Sequence, residues 1–125
     1  LSITTNSPAT TVQTPLQYAV GNVQSIWLLA VPLTPAAVAA NTSAEQTFTV
    51  NGLQVGDVIN VDKPTVQAGL GIINNRAGAN TLYIGFSNNT GSPITPTAGE
   101  VYAVSVLRPI AQDVTNGLPS SLPTP

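Results

Sequence analysis

The residue types that most often carry chemistry in proteins are nearly absent from this chain. Its 125 residues include no His, no Cys, three basic residues and five acidic ones. Without imidazole or thiol groups, the chain lacks the usual general base, the usual nitrogen and sulfur metal ligands, and every Ser-His or Cys-His nucleophile pair. We therefore predict that the protein is not an enzyme, that it has no catalytic residues, and that it binds no metal and no cofactor.

The basic residues are expected to be ordinary surface charges. Lys63 is the only lysine and precedes Pro64 in a polar bend, so we predict a solvated turn charge rather than a partner for a catalytic Ser. Arg76 and Arg108 fall in a predicted turn and at a predicted strand end. We expect one of these arginines to pair with a carboxylate, either Glu100 or Asp57.

The acidic residues leave one minor alternative open. Asp57 and Asp62 bracket one short predicted strand and lie too far apart along it to form the carboxylate pair of a glycosidase. A hard-cation site built from Asp57, Asp62 or Glu100 with backbone carbonyls remains conceivable, although no spacing resembles a calcium-binding loop.

The composition points to a protein that is packed against neighbours. Hydrophobic residues make up 42% of the chain and charged residues only 6%, with a formal net charge of -2. Three basic residues cannot neutralise several phosphates, and no apolar stretch approaches the roughly 20 residues that cross a bilayer, so we expect neither a nucleic acid nor a membrane as partner. Depleted charge is typical of interface cores. A monomer that uses Thr and Asn for its surface is the alternative, and Asn-rich composition also makes two glycosylation sequons, at residues 41–43 and 88–90, a weak signal.

Residues 48–61, FTVNGLQVGDVINV, are the part of the chain around which the predicted elements are arranged. Apolar residues alternate with polar ones on both sides of a turn, which indicates two strands. The turn has Gly52 and Gly56 at its ends, with two apolar residues, Leu53 and Val55, between them. We predict a connection between two facing sheets, with Leu53 or Val55 closing the end of the core. A wide hairpin is the alternative.

Residues 23–31, VQSIWLLAV, form a predicted strand that is apolar on both faces. Pro32 and Pro35 would stop a helix here after nine residues, and Val, Ile and Trp favour a strand. One face would carry Ile26 and Leu28, and the other Trp27, Leu29 and Val31. Such a strand is either central with a layer on each side, or has one face buried against another subunit.

The remaining pattern predicts an all-β fold. Alternating apolar and polar residues predict strands at 81–87 and 101–108, and further core positions lie in residues 66–74. Gly and Asn predict a turn at residues 75–80, and Pro and Gly predict a long loop at residues 88–100. Residues 35–40 are expected to be extended and anchored by Val38, with one helical turn as the alternative. Short strands between Gly, Pro and Asn turns are typical of an antiparallel β-sandwich, jelly-roll-like in its connections. The predicted core comprises Phe48, Val50, Ile59, Val61, Leu82, Ile84, Phe86, Tyr102, Val104 and Val106.

The domain prediction has three parts. Residues 1–22 form an N-terminal extended arm, residues 23–109 form the β-sandwich domain, and residues 110–125 form a Pro-rich C-terminal tail. The two terminal parts lack sustained periodicity, and Pro favours extended backbone.

Three segments resemble proteins of tailed-bacteriophage virions. They are EQTFTVNGLQVGD at residues 45–57, KPTVQAGLGI at residues 63–72 and ITPTAGEVY at residues 94–102. They are similar to small β-sandwich proteins and modules of these particles, over about three fifths of the chain.

The resemblance implies a structural virion protein, most simply a capsid decoration or cement protein on the outer surface of the capsid. Its partners would be the major capsid protein and itself, as a homotrimer or alternatively a dimer. Low-charge arms could lie along neighbouring subunits. The expected subunit or capsid interface comprises Leu1, Ile3, Val12, Leu16, Trp27, Leu29, Leu118 and Leu122.

Two alternatives remain beside the decoration protein. Similar modules occur in phage head fibres and tail components. A glycan-binding β-sandwich module would use Trp27, Tyr83, Tyr102 and the loop 88–100 as a stacking platform.

Overall fold

A computed structural model describes residues 22–110 and Gly117. One compact unit spans Ser25–Arg108. The described residues outside it belong to a second unit, in which the backbone N–H of Ile110 donates to the carbonyl of Asn22 over 2.6 Å.

The described part of the chain is all-β and contains no helix. Its six strands form two antiparallel three-stranded sheets, with orders β1-β6-β3 and β2-β5-β4. The strands are β1 (Val23–Leu33), β2 (Thr42–Thr49), β3 (Val58–Asp62), β4 (Leu70–Gly78), β5 (Thr81–Asn88) and β6 (Glu100–Pro109). Within these residues no helix could therefore cross a membrane.

The hydrophobic core draws on both sheets, because the apolar residues of the two central strands alternate towards it. Leu82, Ile84 and Phe86 of β5 are completely buried, and so is Tyr102 of β6. All ten predicted core positions are buried or packed against the core. The buried cluster comprises Leu33, Val38, Leu53, Val61, Leu82, Ile84, Phe86, Tyr102, Val104 and Val106.

The connection between β2 and β3 crosses from one sheet to the other, as predicted, and the hairpin alternative is wrong. Gly52 and Gly56 have φ angles of 97° and 96°, which are strained for residues with a Cβ atom. Between them Leu53 is buried, whereas Val55 is 80% exposed. Leu53 is therefore the residue that closes the core.

The turn predicted at residues 75–80 is shorter than expected: β4 continues through Arg76 to Gly78, and only Ala79 and Asn80 form the turn. Ile73 forms a β-bulge: Ile72 pairs with Phe86 and Asn74 with Gly85, which leaves Ile73 without a partner. The extra residue reverses which face the following side chains occupy. Arg76 therefore points outwards, while the next residue, Ala77, packs against the core.

Strand β1 also extends beyond its predicted end. It passes through Pro32 and ends at the buried Leu33. Because β1 lies at the edge of its sheet, the missing N–H of Pro32 is tolerated there. The same edge position means that β1 is not the central strand offered as one alternative.

Residues 34–41 and 89–99 are joined at one end of the sheets. Val38 forms an isolated antiparallel bridge with Ile94, and its side chain is buried, so it anchors an extended segment as expected. The backbone N–H of Asn41 donates to the carbonyl of Thr90 over 3.0 Å. The helical turn considered for residues 35–40 does not form.

Candidate interaction surface

The sheet β1-β6-β3 carries an apolar face directed away from the core. The core-facing side of each strand is marked by buried residues: Leu33 in β1, Val61 in β3 and Val104 in β6. By strand alternation, the opposite side carries the apolar outer face. Its apolar residues are Ile26, Leu28, Ala30, Val58, Val101, Ala103 and Leu107, and the polar residues Asn60, Asp62 and Ser105 lie on the same side.

This apolar outer face is well exposed in the unit Ser25–Arg108. Leu28 exposes 83% of its surface, Val58 60% and Ile26 58%. Across β3 and β6, Val58 lies opposite Leu107. Scattered surface hydrophobics need no explanation, but apolar residues repeated along neighbouring strands mark interaction sites.

The outer face of the other sheet, β2-β5-β4, is mainly polar and internally bonded, with Ile73 at the β4 bulge as an exposed apolar residue. Glu45 of β2 accepts hydrogen bonds from Nε and Nη2 of Arg76, each 2.9 Å long, across the intervening Gly85. The Arg76 guanidinium also lies 3.7 Å from the centre of the Tyr83 ring. Ser43 and Ser87 are joined by a further hydrogen bond. The outer face of β1-β6-β3 is therefore the more apolar of the two.

An ion pair between Asp57 and Arg108, here called the Asp57 lock, joins the 51–57 connection to strand β6. The sequence predicted such a pair between one arginine and either Glu100 or Asp57. Nε and Nη2 of Arg108 donate to the Asp57 carboxylate over 2.9 and 2.8 Å, and Nη2 also donates to the carbonyl of Gly52. The Asp57 side chain is buried and accepts the backbone N–H of Gln54 as well. Hydrogen bonding from Arg108, and then from Gln54, lowers the pKa of Asp57 below its ordinary value.

We expect the Asp57 lock to make folding stability sensitive to acid. A carboxyl whose pKa is lowered by folding stabilises the folded state fully above its unfolded pKa, about 4, and loses this contribution as the pH falls through its lowered folded pKa. In thermal unfolding, the Tm of the wild type should be well above that of Asp57→Asn at pH 7. This Tm difference should close below about pH 4. Glu45→Gln, in an exposed pair, is the control for a general charge effect. A gap that stays constant down to about pH 2 would contradict this account.

Lys63 is not the solvated turn charge that the sequence predicted. Its Nζ lies 3.0 Å from the Glu100 carboxylate and donates to the carbonyl and hydroxyl oxygens of Thr65, and only 10% of its side chain is exposed. A hydrogen bond from the Thr65 hydroxyl, and then the Lys63 charge, lower the pKa of Glu100. Burial, with the nearby Glu100 charge, raises the pKa of Tyr102 to about 12. The bend is thus tied to the start of β6.

The carboxylates considered for a cation site are separated and largely occupied. Asp57 is bound to Arg108, and Glu100 is bound to Lys63 and Thr65. Among the residues that the structure describes, no three acidic side chains come together at one point.

The residues expected at an interface fall into two groups. Leu1, Ile3, Val12, Leu16, Leu118 and Leu122 lie outside the described residues. Trp27 and Leu29 lie on the core side of β1, where Leu29 packs against the core and Trp27 remains 56% exposed. The apolar residues of β1 that face away from the core are their neighbours Ile26 and Leu28, which the sequence placed together on one face. The sequence did not show that this face is exposed, because alternation defines two faces without telling which of them meets the core.

Trp27 borders a pocket of about 240 Å³ within the unit Ser25–Arg108. Its apolar side chains come from β1, β6 and the 51–57 connection, and its polar side chains are Asn51 and Arg108. The pocket is lined by Trp27, Leu29, Asn51, Gly52, Leu53, Val106 and Arg108.

The aromatic platform expected of a glycan-binding module does not form. Tyr102 is completely buried, and the Tyr83 ring is covered by Arg76. The sequon at residues 88–90 is also unsuitable as a glycan acceptor, because the Asn88 amide is buried and donates to the carbonyls of Val38 and Ser92.

The chain matches no known protein family, no curated protein and no solved structure in the comparisons made with each.

Proposed function

We propose that this protein decorates the outer surface of a tailed-phage capsid and stabilises it by bridging major capsid protein subunits. It would act as a non-enzymatic structural protein of the virion, assembled as a homo-oligomer, with a trimer favoured over a dimer. The observation that carries the proposal is the contrast between the two sheets: one outer face is mainly polar and internally bonded, and the other exposes mainly apolar side chains.

An apolar outer face suits a protein that is used in permanent contact with neighbours. Antiparallel sheets with one free face usually place polar residues there, as β2-β5-β4 does. Leu28 and its neighbours depart from that rule, and burying them in a protein interface removes apolar area from water. Repetition of one such contact around a symmetric shell would multiply a modest affinity. The resemblance of residues 45–57, 63–72 and 94–102 to phage virion proteins supports the same role.

For the finer architecture, we infer a jelly-roll-like β-sandwich from which residues 1–22 and 110–125 extend as arms. Support comes from the core, which is filled by Leu82, Ile84 and Phe86 of one sheet and by Tyr102 and Val104 of the other. The chain also crosses repeatedly between the sheets. In this proposal the sandwich contacts the shell through the apolar outer face, and the arms reach neighbouring subunits.

The central test is a charge placed on the apolar outer face. Leu28→Asp should keep the fold, because Leu28 is 83% exposed. It should lower occupancy on shells of the phage's own major capsid protein by at least about tenfold, since a buried Leu contributes about 1.5–3 kcal/mol and a buried carboxylate adds a desolvation penalty. Co-sedimentation with the shells measures occupancy, and thermal unfolding checks the fold.

Thr47→Asp provides the matched control, because Thr47 is exposed on the polar outer face of the other sheet. It should decorate shells as wild type does. If Leu28→Asp decorates equally well, the apolar outer face does not bind the shell. Deleting residues 1–13 or 115–125 separately tests whether the arms contribute, and sedimentation of each variant without shells reports the oligomeric state.

A further inference from the structure

We propose that the Trp27 pocket binds the Leu- and Pro-rich C-terminal segment, residues 118–125, of a second copy of this chain. The pocket offers an exposed indole beside the apolar side chains of Leu29, Leu53 and Val106. Proline-rich segments dock in grooves lined by aromatic side chains, against which the proline rings pack.

The electrostatics of the pocket favour an uncharged ligand. Among the described residues that line it, Arg108 is the only charged one, and its guanidinium is already bonded to the buried Asp57 and to the carbonyl of Gly52. A charged ligand would gain little attraction here and would lose hydration. An uncharged ligand that places Leu or Pro side chains against Trp27 has no such penalty.

The C-terminal segment has the complementary chemistry. Residues 118–125, LPSSLPTP, contain two Leu, three Pro and no charged residue. Proline restricts the backbone before binding, which reduces the conformational entropy lost on binding. The eight residues that lead from Ile110 to Leu118 span up to roughly 26 Å at about 3.3 Å per residue. This length allows the segment to reach a neighbouring copy.

The pocket is distinct from the apolar outer face, because Trp27 and Leu28 point to opposite sides of β1. The inference therefore stands apart from the capsid proposal: exchange of C-terminal segments would link copies to one another, whichever surface binds the shell. If the peptide does not bind the pocket, the capsid proposal is unaffected. If the protein does not bind shells, the pocket proposal is unaffected.

The test uses the full-length chain carrying Leu118→Ser and Leu122→Ser, so that its own C-terminal segment does not compete. A fluorescein-labelled peptide with the sequence of residues 115–125 should bind it saturably, measured by anisotropy. Adding Trp27→Ala to the receptor should weaken binding by about tenfold or more, the range expected when a large apolar contact is lost. Adding Leu28→Ala, a neighbouring change on the opposite face, should leave binding unchanged.

A peptide with both Leu replaced by Ser should also lose binding, by a similar factor. In the wild-type chain, the emission of Trp27, the only tryptophan, should shift on dilution as copies separate. The proposal is overturned if the peptide does not saturate, if Trp27→Ala binds as well as Leu28→Ala does, or if Trp27 emission is independent of protein concentration. Preferential binding of a saccharide, with no binding of the peptide, would overturn it as well.

Discussion

Replacing Phe86 with alanine should lower the free energy of unfolding by about 3–5 kcal/mol, the cost typical of truncating a fully buried Phe. Phe86 is completely buried in the central strand β5 and lies between Ala44 of β2 and Ile72 of β4. Strands hold it on both sides, so the surrounding backbone has little freedom to collapse into the cavity. Urea unfolding should show a lower midpoint with an unchanged slope.

Val66→Ala supplies the control for the Phe86 experiment. Val66 is 95% exposed, so its truncation should change stability by no more than about 0.5 kcal/mol. A loss below about 1 kcal/mol for Phe86→Ala would place Phe86 outside the core and undermine the described sheet pairing.

The second large effect is expected at Asn88, a buried polar residue at the end of β5. Its Nδ2 donates to the carbonyls of Val38 and Ser92, and its Oδ1 accepts from the backbone N–H and the hydroxyl of Thr90. Asn88→Ala removes all four hydrogen bonds, which connect the end of β5 to the loops at Val38 and at residues 90–92, and leaves only the Val38–Ile94 bridge and the Thr90 hydroxyl to satisfy the Val38 and Ser92 carbonyls. We expect the free energy of unfolding to fall by on the order of 2–4 kcal/mol, measured by urea unfolding.

Two further variants separate the hydrogen bonds of Asn88 from a general loop effect. Asn89→Ala changes the exposed neighbour and should cost little, because the bond from its backbone N–H to the Gly69 carbonyl remains. Asn88→Asp keeps the shape but places a carboxylate against two carbonyl oxygens. This variant should regain stability at low pH, where a protonated carboxyl donates again. If Asn88→Ala is as stable as Asn89→Ala, the loops are held by other contacts.

Local sequence patterns predicted the strands whose side chains alternate cleanly. In residues 81–87 the core positions Leu82, Ile84 and Phe86 recur with period two, and burial of one sheet face demands that period. The 51–57 connection was also predictable. Gly52 and Gly56 allow its backbone turns, and Leu53 between them is an apolar residue that can close the core. These features depend on backbone geometry within a few residues.

Pairing between distant strands decided the features that the sequence missed. The sequence placed Arg76 in a turn because it follows Asn75, and Asn is rare in strands. In the structure the Arg76 side chain lies over the Tyr83 ring and is bonded to Glu45, which is 31 residues away. Lys63 was likewise predicted to be a solvated turn charge, but in the fold its Nζ lies 3.0 Å from the Glu100 carboxylate. A propensity scale cannot anticipate a partner supplied from another strand.

The sequence by itself determined the β-strands of residues 22–110, the alternating residues of their core, and a composition that is poor in charge and contains no His or Cys. It also determined that β1 has two apolar faces. Only the tertiary structure decided which of them meets the core: Trp27 and Leu29 are on the inner side, and Ile26 and Leu28 form part of the exposed outer face. The physical reason is that strand alternation defines two faces by symmetry, and only packing against a second layer makes them different.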